Sequence, residues 1–158
     1  MKKLSHVDRS GQARMVDVSA KEITERSARA TGSISMSSEA LEAVRKNAVE
    51  KGDVLAVARV AGVMAAKRTA ELIPLCHPLL LTDVQVVATL DDRLPGVRVE
   101  STVRSAGKTG VEMEAIVAVT VTLVTVYDMC KSLDRSMVIS DVRLMEKAGG
   151  RSGKWERP

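Results

Sequence analysis

The spacing of apolar residues changes period several times along the chain, and each change marks an element. Met15-Val16-Asp17-Val18 alternates and reads as an edge strand, and Ser33-Ile34-Ser35-Met36 alternates again. Ser37 or Ser38 then stands where a helix N-cap is wanted, ahead of a segment with Leu41 and Val44 on one face. Gly52 ends that element, and Asp53 is placed to cap a second helix running to about Leu72. This second helix is rich in Ala with Gly62 at its middle, which costs helix propensity but lets a neighbouring backbone come close. Thr82 to Leu90 reads as a strand with Val84, Val86, Ala88 and Leu90 on one face. Val97 to Arg104 reads as another with Val97, Val99 and Val103 inward, and Asp91 to Gly96 joins the two as a hairpin. A long helix over Val111 to Ser132 follows. The last strand, Met137 to Lys147, places Val138, Ser140, Val142 and Leu144 on one side. This order predicts an α+β, ferredoxin-like split β-α-β-β-α-β arrangement with an antiparallel sheet and an extra helix in the first crossover. No internal repeat interrupts it.

Length and composition narrow the classes. A chain of 158 residues fits a single domain, 1–158, with tails over about 1–14 and 148–158 expected to be flexible. The core must be built from Val, Ala, Leu, Ile and Met, because there is no Phe, one Tyr and one Trp. Tyr127 and Trp155 are too few and too scattered for a base-stacking surface, so no nucleic-acid partner is expected. The net charge of +4 suits a small polyanion without saying which one. Two cysteines do not make a disulfide scaffold, and Met1 to Arg14 has no apolar signal core, so a cytoplasmic protein is expected. No apolar run reaches the roughly 18 residues of a membrane span without interruption. The nearest, Val111 to Met129, carries Glu112, Glu114 and Asp128, and no membrane association is expected.

The candidate chemistry collects in a few stretches. Gly107-Lys108-Thr109-Gly110-Val111-Glu112-Met113-Glu114 sets a cationic turn and two carboxylates at the mouth of the long helix. It is not a phosphate loop, since Thr102 stands where that motif needs glycine. Its plain alternative is a strand-to-helix turn with a solvated Lys108 and glutamates that complement the helix dipole. Lys67 and Arg68 close the second helix, as ordinary C-terminal charges or as anion ligands. In Leu75-Cys76-His77 the histidine is fixed between Pro74 and Pro78, able to move protons or hold an anion, or to serve as a structural hydrogen-bonding group. Zinc bound by Cys76, His77 and Cys130 is disfavoured, because adjacent Cys and His do not readily chelate one ion and no CxxC spacing exists; no metal site is expected. Asp128 and Lys131 lie one helical turn apart, where they can form an ion pair.

Four of these stretches in order, Lys51-Gly52-Asp53-Val54, Leu72 to Leu79, Gly107 to Ala115 and Tyr127-Asp128-Met129-Cys130-Lys131, resemble the cyclic pyranopterin monophosphate synthases of molybdenum cofactor biosynthesis. The resemblance runs from about Met15 to Gly153. It implies a ferredoxin-like subunit in a homohexamer built as a trimer of dimers, and a functional link to the radical enzyme of the preceding step. The reaction it implies is conversion of 3′,8-cyclo-7,8-dihydro-GTP to cyclic pyranopterin monophosphate with release of pyrophosphate. By the same resemblance Asp128, Lys51 and Lys131 are catalytic. Leu75, Cys76, His77, Glu112, Met113, Glu114 and Lys67 bind substrate. No organic cofactor is implied, and whether Mg2+ accompanies the substrate phosphates stays open.

Two other classes compete. A basic module that binds RNA or a nucleotide signal would use Lys51, Lys67 and Lys108 as phosphate contacts, but leaves Asp128 next to Lys131 and a histidine between prolines without purpose. A purely structural assembly protein would treat Asp128 and Lys131 as an ordinary surface pair. Helix geometry adds a separate expectation. Glu114 and Asp128 lie on the order of 21 Å apart along one helix, too far for one small substrate within a subunit. The helix is apolar nearly all round, so a second face is expected to be covered by a partner helix, and an antiparallel two-fold pairing would build two shared sites at a dimer interface.

Overall fold

The computed structural model describes residues 11–158. Its sheet has the order β2-β3-β1-β4-β5, with β1 Thr24–Ser35, β2 Leu81–Asp91, β3 Gly96–Gly107, β4 Val138–Ala148 and β5 Trp155–Glu156. Every pairing is antiparallel, and β1 sits between β3 and β4. The first crossover holds α1 Ser38–Arg45, α2 Val54–Lys67 and the single turn α3 Thr69–Leu72; the second is α4 Glu112–Cys130. This is the ferredoxin-like order, with the extra helical material where the sequence places it.

Local rules fix the joints. Ser37 Oγ accepts from the Ala40 amide at 3.1 Å and starts α1, and Asp53 Oδ1 accepts from the Ala56 amide at 2.9 Å and starts α2. One face of the sheet carries the helices: Ala28, Ala30 and Ile34 of β1 and Val97, Val99 and Val103 of β3 are buried beneath Val119, Leu123 and Val126 of α4. The hydroxyls trapped in this layer are satisfied, Ser101 Oγ by the Ala115 carbonyl and Thr122 Oγ1 by the Ala118 carbonyl, both at 2.7 Å. Removing water from these valine and leucine side chains stabilises the fold by roughly 1.5–3 kcal/mol for each fully buried one.

α2 packs on α4 and runs antiparallel to it, since Lys51 just ahead of α2 reaches Asp128 while Gly62 lies against Ala118 and Thr122. A Cβ at Gly62 would collide with Thr122 Oγ1 and sit 2.9 Å from the Ala118 carbonyl, so only glycine permits this crossing. The second apolar face of α4 is therefore packed inside the same chain, and a partner helix is not needed to cover it. What α4 leaves exposed is a narrow strip that includes Val124. By length and hydropathy α4 is the one helix among the described residues that could cross a membrane, but it sits here as the core helix of the fold.

Four expectations need correction. Met15 to Val18 is not a strand but an extended segment outside the sheet. β1 begins at Thr24, nine residues before Ser33. In β4, Val138 is exposed while Ile139 joins the core with Val142 and Leu144. The alternation slips because Asp141 adopts φ +55° within the irregular pairing opposite Thr31 and Ser33, and such a bulge reverses which residues face inward. Of the expected tails, 1–10 lie outside the described residues; at the other end Trp155 and Glu156 pair with Lys147 and Glu146.

Candidate active site

Two groups of side chains stand at opposite ends of α4. At its N-terminal end a cavity of about 290 Å³ is lined by Leu75, Cys76, His77, Glu112, Met113 and Glu114, with Leu79, Thr109 and Gly110 completing that wall. The opposite wall is the segment before β1, through Val16, Val18 and Lys21. His77 Nε2 lies 2.7 Å from the Val16 carbonyl oxygen, which can only accept, so this nitrogen carries the proton. Lys108 Nζ donates to the Ser19 carbonyl at 2.6 Å.

Burial shapes the electrostatics at this end. Glu114 is 4% exposed, and its carboxyl is pushed above the usual range by that burial and, to a smaller degree, by the charge of Glu112. Burial also raises the Cys76 thiol, with Glu114 adding to the effect. Glu112 folds back over Gly110, where a Cβ would meet its carboxylate.

The other end is solvated. Lys51 Nζ donates to Asp128 Oδ2 at 2.7 Å and to the Asp128 carbonyl at 3.0 Å, and Lys131 Nζ donates to Asp128 Oδ1 at 2.7 Å. The hydrogen bond from Lys131, followed by the one from Lys51, holds the Asp128 carboxyl down at about 2. Asp128 is thus a fixed anion between two ammonium groups.

The sequence-derived residues therefore come together in two sets, Lys51, Asp128 and Lys131 in one and Leu75 to His77 with Glu112 to Glu114 in the other. Lys67 touches neither set. It ends α2, exposed, at the pocket end of the antiparallel α2–α4 pair. Lys21 also borders a second, open groove lined by Arg26, Arg151, Ser152 and Gly150. Arg26 lies so close under Gly150, at φ +70°, that a Cβ there would overlap its guanidinium. Among the described residues no group of three or more His, Cys, Asp or Glu side chains could hold a metal ion.

Lys21, Arg26 and the valines of the segment before β1 were not singled out as site residues by the sequence. The available signal was that the resemblance begins at about Met15, within the stretch read as an edge strand.

A model of the MoaC family matches residues 15–150, a span that holds both groups of side chains. The chain belongs to the MoaC family. Its relatives match over nearly their whole length. A protein of Heliobacterium modesticaldum is 56% identical over 157 residues, covering 99% of each chain. One of Parvibaculum lavamentivorans is 54% identical over 155 residues, covering 98% of this chain and 97% of the relative, and one of a Roseiflexus species is 58% identical over 153 residues, covering 97% of each. All three are named cyclic pyranopterin monophosphate synthase.

Proposed function

We propose that this chain is a cyclic pyranopterin monophosphate synthase of molybdenum cofactor biosynthesis, a lyase that converts 3′,8-cyclo-7,8-dihydro-GTP to cyclic pyranopterin monophosphate and releases pyrophosphate. The observation that carries the reading is Asp128 held between Lys51 and Lys131 in a chain of this family. Forming a cyclic monophosphate from a triphosphate requires a substrate hydroxyl to lose its proton and displace pyrophosphate from the α-phosphorus. Ammonium groups fixed on a carboxylate offset phosphate charge and donate protons to the leaving pyrophosphate, and a lysine freed from Asp128 by substrate can act as the neutral amine that takes the hydroxyl proton. Asp128, Lys51 and Lys131 are the catalytic groups in this reading.

The pocket at the other end takes the ring system. Its volume falls at the low end of small-molecule sites, about 300–1,000 Å³, so it admits the base-derived rings and leaves the phosphates outside. Glu112 and Glu114 accept from ring N–H groups, Leu75, Cys76, His77 and Met113 enclose the rings, and Lys21, Arg26, Arg151 and Lys67 supply cations on the way out. A carboxyl kept toward its neutral form, as Glu114 is, can also donate to a ring acceptor. No cofactor enters the scheme, and any Mg2+ travels with the substrate phosphates.

Because one substrate cannot span α4, the working site joins the pocket of one protomer to the Lys51–Asp128–Lys131 cluster of another across a two-fold axis. Repeated three times, this gives a homohexamer built as a trimer of dimers in the cytoplasm, fed by the radical enzyme that makes the cyclised GTP. The test is to incubate the protein with 3′,8-cyclo-7,8-dihydro-GTP and follow pyrophosphate release. Turnover is expected; binding without turnover would make the chain a binding module.

A further inference from the structure

We infer that His77 and Lys108 are positioning residues, two latches that hold the Met15–Lys21 strap as the far wall of the pocket. The strap has no sheet or helix of its own to keep it there. Between Met15 and Ile23 its internal order consists of an Asp17 carboxylate accepting from the Ser19 amide and hydroxyl, at 2.9 and 2.6 Å, and a turn closed by the Lys21 amide on the Val18 carbonyl at 3.0 Å. These bonds shape the strap but do not attach it to the body of the protein. Apart from a lone backbone bridge at Ala13, just ahead of the strap, hydrogen-bonded attachment comes from His77 on the Val16 carbonyl and Lys108 on the Ser19 carbonyl, one on each side of the Asp17 turn.

The latches and the pocket are built from the same stretches. His77 is held rigid between Pro74 and Pro78, so its ring offers a fixed donor, and Lys108 rises from the turn that leads into α4. Take the strap away and the cavity becomes an open groove on Leu75 to Leu79 and the first turn of α4. With the strap in place Val16 and Val18 supply an apolar wall, and Lys21 lines both the pocket and the groove of Arg26 and Arg151. The Nε2 proton of His77 is committed to the Val16 carbonyl, so in this arrangement it is not free to pass to a substrate.

The strap contains two trypsin sites, after Arg14 and after Lys21, which report its release directly in the whole protein. Lys108→Met and His77→Leu should both be cut there faster than wild type, read by loss of residues 1–14 or 1–21 in intact-mass spectra, while His77→Gln, whose amide donates at similar reach, should be protected. Circular dichroism of each variant establishes that the fold is retained. The kinetic arm rests on the function proposed above: Lys108→Met should raise KM roughly tenfold, the equivalent of one net hydrogen bond, with a much smaller change in kcat. Wild-type resistance to trypsin in both Lys108→Met and His77→Leu would overturn the latch, as would a loss confined to kcat. The proteolysis result stands whatever the substrate, so failure of the latch and failure of the proposed reaction are told apart.

Discussion

The two ends of α4 carry carboxylates on one helix with opposite fates. Glu114, in the first turn, is buried and pushed toward its neutral form, whereas Asp128, in the last turn, is solvated and held anionic at about 2 by two lysines. The helix dipole alone would favour the anion at the first turn and disfavour it at the last. Desolvation and local charge therefore outweigh the dipole at both places. A residue's position along a helix says less about its charge state than what stands within hydrogen-bonding distance.

The largest effect expected from this contrast is on turnover. Lys51→Ala and Lys131→Ala should each lower kcat by about 100-fold or more, the scale of a lost acid or base, with an unchanged melting temperature because both side chains are half-exposed. Lys51→Arg should be nearly as damaging if proton transfer is the role, since guanidinium does not deprotonate at working pH. Substantial activity in Lys51→Arg would reduce Lys51 to a charge. Next comes the separation of the ends. Inactive Glu114→Ala and Lys131→Ala proteins, mixed under conditions of subunit exchange, should regain up to roughly half of wild-type activity per mixed dimer. No recovery despite demonstrated exchange would mean that each site is completed within one chain.

A third test loosens the middle of the helix. Gly62→Ala gains helix propensity of about 1 kcal/mol, yet its methyl meets Thr122 and the Ala118 carbonyl, so a net destabilisation of about 1–3 kcal/mol is expected in urea unfolding. Thr122→Ala in the same chain should recover part of it. The smallest effect concerns Glu114 itself. A carboxyl whose folded value is raised favours the native state at low pH and loses that contribution as pH rises through the folded value. Glu114→Gln should therefore match wild-type stability in acid and exceed it at neutral pH. An equal difference at both pH values would mean that Glu114 titrates as it does in the unfolded chain.

The Ser37 and Asp53 caps were legible because each depends on residues three apart, while the strand order and the close approach at Gly62 were legible because their signals, the switching apolar period and a glycine inside an Ala-rich helix, are carried by the elements themselves. The start of β1 was not, because its inward residues are Ala28, Ala30 and Gly32, too small to leave a strong apolar alternation between arginines and threonines. The register of β4 was hidden for a different reason, a bulge at Asp141 that no local pattern announces. For the site, the motifs named the pocket lining and the lysine cluster. They could not show that the segment read as an edge strand is a pocket wall, since that follows from two side chains, His77 and Lys108, more than sixty residues away along the chain.

The sheet's two borders are guarded unequally. The outer side of β4 is partly covered by the short Trp155–Glu156 ladder and by Arg157, whose guanidinium lies 5.8 Å from the Trp155 ring and whose amide bonds the Met145 carbonyl. β2, eleven residues long with Val87 exposed at its centre, meets no strand on its outer side among the described residues. Unpaired strand borders template intermolecular association, and charges beside them oppose it. Asp83, Asp91 and Asp92 stand at the two ends of β2, which leaves its middle the stretch of that border least guarded by charge against such association.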